Sequence, residues 1–178
     1  MSEQLPPEVP IQATSYFILN ARKRVFQQQI KFSYYDVGTV FWAQQQLGHD
    51  EFFRFLDDIQ SNMQTFIDED RIYLNEIEVS LKIQATQVTY KQRKKIYPIL
   101  TFDLISIGKI ILKTGKNQII LDAPQEAVTY PVLSTWKLPG KVLHVLSTTI
   151  FKISGDRITF TTNIGQEIGG YEVIEFKF

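Results

Sequence analysis

A chain of 178 residues, 44% hydrophobic and 21% charged, has the make-up of a globular domain large enough to bury a core without staples. It has no cysteine, which excludes disulfides, thiolate catalysis, zinc fingers and iron–sulfur clusters. Its 19 basic residues match its 19 acidic ones, so no general positive surface draws nucleic acid, and the neutral balance favours self-association.

Residues 1–10 carry three prolines and little apolar surface, and are predicted to form a flexible arm ahead of one α+β domain over 11–178. They lack the apolar core of a signal peptide, and no run of about 18 apolar residues follows, so a cytoplasmic protein with no membrane partner is expected. Segments 11–19 and 25–35 are rich in aromatic and β-branched residues and read as strands. Asp36 is positioned to cap a helix over 37–47 that Gly48 ends. Asp50 then caps a second helix, on which Phe52, Phe55, Leu56, Ile59, Met63, Phe66 and Ile67 follow 3-and-4 spacing. The pair forms a helical hairpin over about 36–68.

From 71 to 178 the pattern is that of strands. Ile77, Val79, Leu81, Ile83 and Ala85 alternate with polar residues, and the phase slips near Gln87 as a β-bulge makes it do. Segment 97–107 is apolar on both parities and reads as a central strand. Segments 109–113 and 118–122 flank a predicted hairpin turn at 114–117, and further strands are expected over 127–133, 142–153, 157–162 and 171–178. The expected fold is α+β: a mostly antiparallel twisted sheet or partly closed barrel, with an N-terminal two-helix hairpin packed on one face.

The chemistry is sparse. The two histidines, His49 and His144, have no metal-ligand spacing, and Asp57 and Asp58 diverge by about 100° around their helix. Asp68, Glu69 and Asp70 lack the alternation of a calcium loop and read as a solvated helix exit. No phosphate-binding glycine loop opens a helix. The sequence therefore predicts no enzyme, no cofactor and no metal site.

Two surfaces stand out. Tyr90, Lys91, Arg93, Lys94, Lys95 and Tyr97 interleave cations with rings in one loop, as single-strand binders do, and Arg22, Lys23 and Arg24 form a second basic run. The two runs would make one positive rim if they fell at the same end of the sheet; solvated loops are the plainer reading. Phe41, Trp42 and Phe53 are candidates for the apolar centre of a protein interface, or for a second edge of the core. The first reading of function is a non-catalytic interaction or structural protein, a homo-oligomer or a subunit of a larger assembly, whose partner is itself or another protein. The alternatives are a nucleic-acid-associated factor using the 90–97 loop, and a β-barrel holding a small apolar ligand.

Overall fold

The computed structural model describes residues 9–178, and the chain order is β1 (Val9–Asn20), β2 (Val25–Tyr35), α1 (Val40–Gln46), α2 (His49–Glu69), β3 (Arg71–Leu74), β4 (Ile77–Glu78), β5 (Leu81–Tyr90), β6 (Pro98–Ser106), β7 (Lys116–Ala127), β8 (Val132–Lys137), β9 (Lys141–Leu146), β10 (Ile150–Ser154), β11 (Arg157–Thr162) and β12 (Glu167–Lys177). Val9 and Pro10 belong to β1, and the rest of the arm expected over 1–10 lies outside the described residues.

The strands make two open sheets, not a barrel: seven strands in the order β10-β11-β8-β1-β2-β6-β5, and five in the order β4-β3-β7-β12-β9. Pairing is antiparallel except between β1 and β8. Phe26, Phe102, Trp136 and Ile158 of the larger sheet join Leu74, Ile119, Ile174 and Phe176 of the smaller in one buried cluster. The two inner faces thus share a core, as in a β-sandwich.

The helical hairpin is not N-terminal; it follows β1 and β2. Nor does it simply cover a face. α2 runs beside β5, the outer strand of the larger sheet, and fills its open edge. The Gln64 side chain donates to the Leu81 carbonyl (3.1 Å) and accepts from the Ile83 N–H (3.0 Å), so one amide takes the place of a neighbouring strand. Thr86 donates to Gln60 at 2.8 Å, and Lys82 meets Asp68 at 3.4 Å. At Leu81 and Ile83 the edge is therefore taken and does not pair with a second chain there. The apolar side of α2, including Leu56, Ile59, Met63 and Ile67, turns inward, as its spacing requires.

Two strand expectations fail for one reason: alternation assigns faces, but not the sheet to which a strand belongs. Segment 142–153 is two strands, β9 in one sheet and β10 in the other, divided at 147–149. Segment 127–133 is mainly the crossover from β7 to β8. The predicted hairpin around 114–117 is absent: residues 109–113 form a loop that Asn117, only 1% exposed, holds with its side chain. The bulge in β5 is present, at Gln84 and slightly earlier than expected, between the pairs Ile83↔Leu104 and Ala85↔Asp103.

Candidate functional site

Between the sheets lies a cavity of about 620 Å³. Its floor is apolar: Phe17 stacks on Trp136 with ring centroids 3.8 Å apart, and Ile72, Leu81, Leu100, Phe102 and Phe160 continue the wall. Strand direction fixes where it opens. The first residues of β1, β3 and β8 and the last residues of β2, β7 and β11 meet at one end of the sandwich, and so do the charged groups of the lining. The opposite end is filled by Phe26, Leu74, Leu138, Ile158 and Phe176.

Register explains which carboxylates reach inside. Asp70 ends α2 in extended conformation and shares the parity of the buried Ile72 and Leu74. Glu172 shares the parity of Ile174 and Phe176 on β12. Both therefore sit on the inner face of the smaller sheet, next to the opening. Asp70 reaches solvent there, yet the concave surroundings desolvate its carboxyl, and Glu69 and Glu126 repel its charge, so its pKa rises to about 6. Burial also pushes Glu172 up, opposed by hydrogen bonds from Ser147 and Thr149. Tyr130 is raised by burial and by Glu126.

The sign of the Asp70 effect is testable. A carboxyl raised in the folded state favours folding while protonated, and that contribution is lost as pH climbs through about 6. Asp70→Asn is expected to raise the melting temperature at pH 7.5 and to leave it unchanged at pH 4. Thermal melts across that range check this; an equal shift at both pH values would contradict it.

Two further polar groups face the cavity. Thr162, 3% exposed, has a hydroxyl with no partner among the described residues, and Gln28, 9% exposed, gives its amide N–H to Ser15 while its carbonyl oxygen accepts nothing there. No fully enclosed side-chain nitrogen or oxygen among the described residues lacks a partner, so these atoms open onto the cavity.

The residues singled out in the sequence lie elsewhere. Arg22, Lys23 and Arg24 sit at the start of β2, whereas Tyr90, Lys91, Arg93, Lys94, Lys95 and Tyr97 sit beyond its end, about 34 Å away along an 11-residue strand. The two basic runs do not converge. The rings of the longer loop are also engaged: Tyr90 lies edge-on to Trp42 and donates to Gln45, Lys95 stands 4.1 Å over Trp42, and Tyr97 packs on Tyr35. Burial and Asp36 push Tyr90 up to about 12. Phe41 is 2% exposed, packed on Tyr34 and Phe55, so it is core and not interface. Phe53 remains exposed, with His49 against its ring.

Neither His49 nor His144 lines the cavity, and no three His, Cys, Asp or Glu among the described residues converge for a metal. No described helix is long and apolar enough to cross a membrane. Sequence reasoning passed over Asp70 as a solvated exit and did not single out Glu126, Glu172 or Thr162. The usable signal was parity: Asp70 is in step with Ile72 and Leu74, and Glu172 with Ile174 and Phe176.

No family model and no curated protein matches the chain. Among solved structures it resembles yeast LTA4 hydrolase in complex with bestatin (TM-score 0.44, 6% identity) and native leukotriene A4 hydrolase from Saccharomyces cerevisiae (TM-score 0.43, 8% identity). The matches cover 96% and 95% of this chain but 29% of each hydrolase chain.

Proposed function

We propose that the protein is a non-catalytic binding protein that holds an apolar small molecule between its two sheets. The supporting observation is the cavity itself. Its volume of about 620 Å³ falls within the range of small-molecule sites, and its mostly apolar wall with a few convergent polar groups matches their usual make-up. Binding to such a wall is driven by removal of apolar surface from water.

Filling the cavity tests this. Ser134 lies on the inner face of β8 and lines the space. Ser134→Phe is expected to weaken binding of the apolar dye N-phenyl-1-naphthylamine at least tenfold while the far-ultraviolet circular dichroism is kept. Val132→Phe, one inward position nearer the opening, is the companion if the first variant does not fold. Equal dye binding by a folded filled variant and the natural chain would count against the reading.

A second reading is self-association through β10. This strand is the outer strand of the larger sheet beside β11, all five of its residues are exposed, and three of them are Ile150, Phe151 and Ile153. Unlike β5, it is covered by no helix among the described residues, and the zero formal charge of the chain opposes pairing with a second copy only weakly. Light scattering is expected to give twice the chain mass at high concentration, and the chain mass for the double change Phe151→Lys, Ile153→Lys. A monomer at every concentration would contradict it.

A further inference from the structure

Among the charged residues lining the cavity, Glu69, Asp70, Asp122, Glu126 and Glu172 are acidic and Arg71 alone is basic. Arg71 is opposite Asp122 in the β3–β7 register, on the outward parity. The ion pairs among the described residues are His49–Asp50, Lys82–Asp68 and Lys116–Glu175, so none of the five acids at the opening has a cation within 4.0 Å. An apolar space closed at one end and rimmed by unneutralised carboxylates at the other is polarised along its length. A ligand lying in it must place its apolar part at the Trp136 floor and its head among the acids.

Resting on the reading above, we infer that the ligand is a cationic amphiphile: one aliphatic or aromatic tail carrying a single protonated amine head, held between Asp70 and Glu172. Three observations converge on this. The inward parity of both carboxylates puts them on the cavity side of the smaller sheet and not on its outer surface. The unpartnered Thr162 hydroxyl, on the last residue of β11 and so at the opening, supplies an acceptor for an ammonium hydrogen. The failure of any three acids to converge leaves no metal cage, so the negative charge suits a head that spans the acids and not a compact ion. Tyr130, also in the lining, offers an aromatic face to such a head. An anionic head, as on a fatty acid, would add a like charge to an already acidic rim.

The experiment compares decylamine, decanol and decanoate, equal in tail length, by calorimetric titration of the full chain at pH 7.5 below their aggregation limits. The amine is expected to bind at least tenfold more tightly than decanoate, with decanol between. In the double variant Asp70→Asn, Glu172→Gln that preference falls below threefold while the far-ultraviolet circular dichroism is kept. The preference also shrinks at pH 5, where Asp70, next to Glu69 at the end of α2 and to Arg71 on β3, with Glu126 on β7 repelling its charge and Glu172 on β12 on the same inner face, takes up its proton. Decanoate binding as well as the amine, or an unchanged preference in the double variant, overturns the amine head and leaves the apolar cavity intact. Binding of none of the three overturns the cavity reading as well.

Discussion

Replacing Asp36 with alanine is expected to lower folding stability by about 3 kcal/mol, seen as a shift of the urea midpoint and a fall of roughly 6 to 12 °C in melting temperature. Asp36 is fully buried at the entrance to α1. One carboxylate oxygen accepts from the Val40 N–H at 3.0 Å and the other from the Phe41 N–H at 3.1 Å, while its own N–H donates to the Ile96 carbonyl at 2.9 Å. The turn between them runs through Thr39, whose φ of 52° is costly for a side-chain-bearing residue. Without the carboxylate, the Val40 and Phe41 N–H groups lose their partners, and only the bond from the Thr39 N–H to the Asp36 carbonyl, 3.1 Å, is left across that turn. Asn in its place keeps one acceptor and is expected to cost about half as much. A loss below about 1 kcal/mol for alanine would mean that water replaces the cap.

Asn117→Leu is expected to cost a similar amount, about 3 kcal/mol, although the two side chains are close in shape. Asn117 Oδ1 accepts from the Lys113 N–H and from Asn75 Nδ2, both at 2.8 Å. Its Nδ2 donates to the carbonyls of Lys113 (2.8 Å) and Gly115 (3.1 Å). Leucine meets none of these. The loop ahead of β7 then loses its centre, and trypsin is expected to cut after Lys113 much sooner than in the natural chain. Unchanged digestion would show that the backbone pair between Gly115 and Phe178, 2.9 Å in both directions, holds the loop alone.

These two residues also show how far the sequence could be read. Asp36 was legible as a residue that holds the start of a helix, but not as its N-cap: the helix starts at Val40, the N-cap position is Thr39, and Asp36 reaches the Val40 and Phe41 N–H groups from three residues before it. The second helix was legible through its 3-and-4 spacing, and the β5 bulge through a parity slip. Asn117 was not legible. An Asn two positions after a Gly and between apolar runs signals a hairpin turn, and only the fold reveals that Asn75, 42 positions earlier, and the Lys113 backbone need its side chain. The cavity was hidden for the same reason. It exists because β9 and β10, read as one strand, enter different sheets, and because the chain crosses between sheets after β7. Its acids were visible one by one, but their meeting at one end depends on strand directions that alternation does not encode. In the basic loop the composition was legible but the packing was not: the fold engages Tyr90, Lys95 and Tyr97 against α1 and β2 and leaves Lys91, Arg93 and Lys94 exposed.

A crystal structure of the chain soaked with 1-bromodecane, read at the bromine absorption edge, bears most directly on whether the space between the sheets receives a guest. The account predicts one anomalous peak inside the sandwich, bounded by Phe17, Trp136, Ile72 and Phe160. Bromine found only on the outer surface, or sheets closed onto each other with no room between them, would contradict it.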